Sequence, residues 1–404
     1  MSLTAVFCQD RAIGVLQRAF AASRAAHAYI FAGLDGVGKY KTAREWAKVL
    51  LCENPVRSGP APGGELFGGR DAKCCVSTGG SEQDRLKAEL QTDSCGACDS
   101  CLLFEGDSHP DFVHVYKELI FFTKDGKNRA APVDLPIDVV REFLLEKVAI
   151  RPTHAKRRVF VVSEAEKLNA SSQNALLKVL EEPPHYCTII LLCTRLEQLL
   201  PTTRSRCQIV RFGPVDKDRI ITLLAGTGLD PRKAQFFARL SRGSAGQACQ
   251  WAKLEQEGVA LFEAKRAVVA ALVKLALPDA LDLAERLLND AKAIAAGWAA
   301  LDKTVSKTDI NRRAQRTILQ IIISAFHDAM MLNVDPEHPL IHFDQAREIA
   351  HLAGRIDPEQ AARNVDEGYE ALRWIDANVN EKLIFERLLL RVATARFYNV
   401  PSLQ

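Results

Sequence analysis

The feature that most constrains this chain is Gly33-Leu-Asp-Gly36-Val-Gly38-Lys39, which matches the G-x-x-x-x-G-K spacing of a phosphate-binding loop. Before it, His27-Ala-Tyr-Ile-Phe-Ala-Gly33 is a short apolar run ending in glycine. After it, Lys41 to Leu51 carries Ala43, Trp46, Ala47, Leu50 and Leu51 at helical spacing. In a strand, loop, helix order, the glycines let backbone N–H groups converge on phosphates at the helix N-terminus, and Lys39 adds a point charge. Gly33, Gly36, Gly38 and Lys39 are therefore the expected nucleotide-binding residues. The next position should place a Ser or Thr hydroxyl on magnesium, yet it is Tyr40, whose hydroxyl sits at the far end of a ring. Thr42 cannot replace it, because two residues along a helix turn about 200°.

A second strand is expected at Arg158-Val-Phe-Val-Val162, a continuous apolar run suited to the buried centre of a parallel sheet. Such a strand normally ends in an Asp that holds magnesium, followed by a Glu that polarises the attacking water. Here the pair is Ser163-Glu164. Glu164 stands in the polarising position, or is an ordinary charge at a strand end, and the metal-holding carboxylate is missing. With Tyr40 and Ser163 both lost from one magnesium site, the metal keeps little but phosphate and water. Negligible intrinsic hydrolysis is expected, and ATP in this loop is doubtful: the loop is either retained for packing or binds nucleotide weakly without metal.

Cysteine usage is the other strong signal. Of 11 cysteines, three form Cys95-Gly-Ala-Cys98-Asp-Ser-Cys101, and Cys52 ends the helix after the phosphate loop. Four thiolates close a tetrahedral structural zinc site, and the long spacing from Cys52 to Cys95 costs little, since loop-closure entropy grows slowly with length. Cys74, Cys75 and His109 are alternative ligands. An iron–sulfur cluster is the lesser reading, because nothing else in the chain asks for redox chemistry. Residues 53–94 hold seven glycines and three prolines, a composition suited to a mobile surface insertion within the zinc module.

Composition bounds the rest. A chain of 404 residues, 48% hydrophobic and 25% charged, has length for two or three globular domains. With a net charge of +3, nucleic-acid contact would have to come from local patches, such as Lys156, Arg157, Arg158 and Arg204. No apolar stretch approaches the roughly 20 residues needed to span a bilayer, and the N-terminus lacks a basic segment followed by a long apolar one. A cytoplasmic protein is expected.

Beyond the second strand, Asn169 or Ser171 can cap a helix that Pro183-Pro184 stop, with Leu176, Leu177, Val179 and Leu180 on its apolar face. Cys187 to Cys193 reads as another buried strand, with Thr194 at its end where a polar residue often senses the γ-phosphate. Leu200-Pro-Thr-Thr-Arg204-Ser205-Arg206-Cys207 follows, and then a strand from Gln208 to Phe212. From about residue 255 the pattern is helical, with segments near 261–276, 279–301, 311–332, 344–354 and 358–397, as in a bundle.

Leu180-Glu-Glu-Pro-Pro184, Ser205-Arg206-Cys207, the Cys95/Cys98/Cys101 run and Ser108-His-Pro-Asp111 together resemble the clamp-loader subunits of bacterial replicative DNA polymerase III, most closely the delta-prime type, within the AAA+ superfamily. The resemblance implies an α/β fold: a phosphate-loop parallel-sheet core with an inserted zinc module (1–213, zinc module about 52–101), a small helical lid (214–254) and an all-helical collar (255–404) for oligomerisation. It implies that Arg206 is a finger reaching the ATP of a neighbouring ATPase subunit. It also implies partners of the gamma/tau and delta types, with the sliding clamp and primed DNA met through the complex. Gly246 stands where ATPase members carry a nucleotide-sensing arginine, a third departure. The segment Asn378 to Leu390 resembles the collar helix. On this reading the chain does not hydrolyse ATP itself but serves the polymerase holoenzyme, a nucleotidyltransferase. The competing readings are an ATP-hydrolysing gamma/tau-type subunit and a zinc-bearing DNA-binding scaffold.

Overall fold

In a computed structural model of the chain, the described residues are 3, 6–58, 91–124, 132, 134–301 and 305–397. Cys74, Cys75 and residues 59–90 of the insertion lie outside them. Contacts divide the chain into two compact units, Met1–Val215 and Asp216–Gln404.

The first unit is built on a five-stranded sheet. Its strands are β1 (Ala28–Ala32), β4 (Phe112–Val115), β5 (Arg158–Val162), β6 (Cys187–Cys193) and β7 (Gln208–Arg211), while β2 (Val56–Ser58) and β3 (Gln91–Asp93) form a separate antiparallel ribbon. The order across the sheet is β4-β5-β6-β1-β7, and every neighbouring pair is parallel. The central strands are buried on both faces because each alternates between two cores. Tyr29, Phe31, Val159 and Val161 face one core with α1 (Asp10–Ala21) and α2 (Lys39–Leu51). Ile30, Ala32, Phe160 and Val162 face the other, with Leu176 and Leu180 of α4 (Ala170–Glu181). Trp46 of α2 anchors the first core, edge-on to both Tyr29 and Phe20. Asn169 is the cap of α4, its side chain accepting from Ser172 N at 2.7 Å.

Two short helices complete the elements around the site: α3 (Asp99–Glu105) and α5 (Pro201–Ser205). Arg158, named above among phosphate-contact candidates, is buried instead, its guanidinium 3.0 Å from the fully buried Asp111. Asp111 also accepts from the backbone N–H groups of Thr153, His154 and Ala155. Burial alone would raise this carboxyl's pKa, but those three amides and Arg158 outweigh it and hold the group at about 2.

The second unit is helical. The expected lid comprises α6 (Lys217–Ala225), α7 (Pro231–Leu240) and α8 (Ala245–Gln256). The expected collar comprises α9 (Leu261–Lys274), α10 (Ala280–Leu301), α11 (Lys307–Val334), α12 (Ala346–Ala353), α13 (Pro358–Asp376) and α14 (Glu381–Phe397). The segment read as one helix over 358–397 is thus two. The break falls at Asn378, whose φ of +59° is left-handed and accessible to Asn at low cost. The α11 helix is, by length and composition alone, apolar enough to cross a membrane, which corrects the sequence-based expectation that no stretch approached this. In this unit it is a core helix, with Ile318, Ile321, Ile322 and Phe326 buried. Gly368 of α13 lets the two helices close up, since a Cβ there would lie 2.4 Å from Ile323 Cγ1.

Candidate functional site

The phosphate loop connects β1 to α2 as the glycine spacing requires. Gly36 and Gly38 have φ of +73° and +101°, which glycine adopts without steric cost. Gly33 is needed for close approach: a Cβ there would meet Phe212 O at 2.5 Å. Lys39 is nearly buried, and its ammonium donates to the carbonyls of Gly33 (2.7 Å) and Leu34 (2.6 Å). Burial lowers its pKa, opposed by the carboxylates of Asp35 and Glu166.

The two positions that depart from a magnesium site meet at one side chain. Tyr40 packs its ring against His114 at a 39° tilt, centroids 4.6 Å apart, and Ser163 Oγ shares a 2.8 Å hydrogen bond with His114 Nε2. His114 lies on β4 and packs in turn against Tyr116, centroids 4.9 Å apart. Burial drives its pKa down to about 4, so the imidazole is neutral at pH 7. Tyr40, His114, Tyr116 and Ser163 thus form one cluster at the two positions where a phosphate-loop ATPase carries its metal-holding hydroxyl and carboxylate.

Glu164 is in place after β5 in a left-handed conformation, φ +51°. Its carboxylate is taken up by Lys167 at 2.5 Å and Lys117 at 3.5 Å. Both of its oxygens are thus engaged by ammonium groups. Thr194 follows β6 and donates to Glu166 Oε1 at 2.5 Å, while Glu166 Oε2 is buried with no hydrogen-bond partner. Sequence reasoning gave neither His114 nor Glu166 a role. The available signal for His114 was a single ring-nitrogen side chain in the otherwise apolar Phe112-Val-His-Val115 strand.

Arg206 caps the C-terminus of α5. Its side chain is about one-third exposed, with Nη2 2.7 Å from Glu181 Oε1 at the end of α4 and Nη1 donating to Thr202 O at 3.0 Å.

The four cysteines named from sequence do come together. The Sγ atoms of Cys52, Cys95, Cys98 and Cys101 all lie within 4.8 Å of one another, with separations of 3.5 Å (52–95), 3.9 Å (52–98) and 4.0 Å (95–101). Four sulfurs each about 2.3 Å from a tetrahedral zinc ion would be roughly 3.8 Å apart, so the cage has the size of that ion. Gly96 turns the loop at φ +71°. The amides of Cys95 and Cys98 point at the sulfurs of Cys52 and Cys95, both at 3.3 Å. Backbone N–H groups of Ala97 and Cys98 draw the Cys95 thiol down to about 6. His109 is not in the cluster. Its Nε2 is 2.8 Å from Ser100 Oγ, which donates to Leu51 O, and its Nδ1 accepts from Asp111 N.

Sequence comparison places these sites in a known family. Residues 8–63 and 82–216 match the family described as DNA polymerase III, delta subunit, and residues 278–394 match its C-terminal family. The chain is 22% identical over 383 residues to the DNA polymerase III subunit delta' of Bacillus subtilis, covering 95% of each. It is 27% identical over 313 residues to subunit tau of Escherichia coli, of which it spans only 41%. A solved DNA polymerase III gamma subunit-related protein of Thermotoga maritima is similar over 74% of this chain and 90% of that one, at 17% identity and a TM-score of 0.32. The full-length match to a delta' subunit, together with both family matches, shows that this chain belongs to the clamp-loader subunits of bacterial DNA polymerase III, as a delta-prime type.

Proposed function

We propose that this chain is the non-hydrolysing member of its loader. It would stand beside an ATPase subunit of the gamma/tau type, supply Arg206 to that subunit's ATP, and help load the sliding clamp on primed DNA. The observation that carries the reading is the meeting of Tyr40 and Ser163 on His114, which puts a neutral aromatic cluster at the two positions that would have to supply magnesium ligands. Glu164 held between two lysines supports it. The reading keeps the division proposed from sequence into a core (1–213), a lid (214–254) and a collar (255–404), a delta-type subunit among the partners, and a cytoplasmic location.

Zinc fits the Cys52/Cys95/Cys98/Cys101 cage by donor set and size. With four sulfurs it leaves no position for substrate, so the ion would fix the end of α2 to the start of α3. Gly33, Gly36, Gly38, Lys39, Glu164 and Thr194 are read as a degenerate nucleotide site without turnover. A gamma/tau-type motor is the second reading, favoured by the match to tau and the complete glycine-lysine loop.

Two measurements separate these readings. The purified chain with magnesium and ATP, with and without primed DNA, is expected to show no turnover; steady hydrolysis would replace this reading with the motor. In a reconstituted loader, Arg206→Ala is expected to depress DNA-stimulated hydrolysis by on the order of 10³, the scale of arginine fingers in GTPases. Unchanged hydrolysis would remove the finger.

A further inference from the structure

Arg206 does not hang from α5 as a lone side chain. Its two terminal nitrogens are engaged at two points, Nη2 by Glu181 Oε1 at 2.7 Å and Nη1 by Thr202 O at 3.0 Å. Thr202 belongs to the short helix that Arg206 caps, whereas Glu181 is the last residue of α4. That helix also fixes the other end of α5: Gln173 of α4 accepts from Leu200 N at 2.8 Å and donates to Leu168 O at 2.9 Å. The short helix therefore lies braced against α4 at both ends, by Gln173 before its first residue and by Glu181 after its last.

An ion pair this exposed adds little to folding stability, but it does fix a plane. A carboxylate against one terminal nitrogen and a carbonyl against the other restrict a side chain that otherwise has several rotamers. The guanidinium carries five N–H groups, so donors remain for an incoming anion. A cation held in this way can meet phosphoryl oxygens without first losing conformational entropy.

We propose that Glu181 is the positioning residue for Arg206, holding the guanidinium in the orientation in which it meets the phosphates of the neighbouring subunit's nucleotide. The inference rests on the finger reading above. Glu181 touches no substrate and acts only through Arg206, so its contribution falls on turnover rather than on nucleotide affinity in the neighbouring subunit.

The test uses the reconstituted loader with full-length chains, measuring kcat and KM for ATP during DNA-stimulated hydrolysis. Glu181→Ala and Glu181→Gln are expected to lower kcat by about tenfold, within the penalty for a misplaced catalytic group, with KM unchanged. Glu181→Asp is expected to recover part of the loss. In an Arg206→Ala background, Glu181→Gln is expected to have no further effect, because the two side chains act as a unit. A kcat that is unchanged or raised in Glu181→Gln, or an equal loss without Arg206, overturns the inference while leaving the finger reading intact. The finger reading fails by a different result, namely an Arg206→Ala loader that hydrolyses normally. Glu181→Gln preserves side-chain shape, so a folding failure in Glu181→Ala alone does not decide the matter.

Discussion

Ser163 Oγ and His114 Nε2 are 2.8 Å apart across the adjacent ends of β5 and β4, and this pairing gives the position after β5 an imidazole partner in place of a metal. The contact is consistent with a neutral ring, since burial holds His114 at about 4. Ser163→Asp would set a carboxylate against that ring and stabilise its protonated form. The His114 pKa is expected to rise by about 2 units, measured by NMR titration of the ring protons. Hydrolysis is not expected to return in this variant, because Tyr40 still covers the other side of the site.

The identity of the metal ligands has a direct check. Metal analysis of the purified chain is expected to find one zinc per molecule. Cys101→Ser should lose it and His109→Ala should keep it, because His109 is committed to Ser100 and Asp111. Removing the ion with a chelator is expected to lower Tm, since zinc bound only by the folded cage contributes its binding energy to folding. A metal lost from His109→Ala would put the histidine back among the ligands.

Asp111 makes the first unit acid-sensitive in a defined window. Its folded pKa of about 2 lies below the ordinary value of 3.8, so its contribution is fully present above pH 4. It is lost progressively as pH falls through that range toward 2. Asp111→Asn should remove this dependence. It should also cost roughly 3–5 kcal/mol at neutral pH by leaving Arg158 charged and buried without its partner, as read from urea unfolding at several pH values.

In the second unit, Gly368→Ala should destabilise by about 1–3 kcal/mol through overpacking, because the added methyl lands 2.4 Å from Ile323 Cγ1. Ile323→Ala in the same chain should recover part of that loss. If both substitutions simply add in denaturant melts, the two helices are not in the close contact described.

The parts of this protein legible in its sequence are those fixed by local chemistry. The glycines of the loop had to take positive φ or let Phe212 approach, and they do. Cys52, which stands 43 residues from its nearest partner in sequence, still closes the cage. What was not legible depends on register between segments distant in the chain. Nothing in the sequence near Tyr40 announces His114, because the two meet only when β4 takes the sheet edge. The same holds for Glu181 and Arg206, which sit on different helices. Arg158 looked like a surface charge flanking a strand and is instead the buried partner of Asp111. The break at Asn378 was hidden because apolar spacing continues on both sides of it.

The antiparallel ribbon pairs Ser58 with Gln91, so the two described ends of the inserted span sit opposite one another on one rung. That makes Ser58 and Gln91 matched splice points. Substituting a two-residue turn for residues 59–90 would keep Ser58 and Gln91 in register. A fluorescent reporter or affinity module could equally be spliced there, giving a handle on the assembled loader that leaves Arg206 and the phosphate loop untouched.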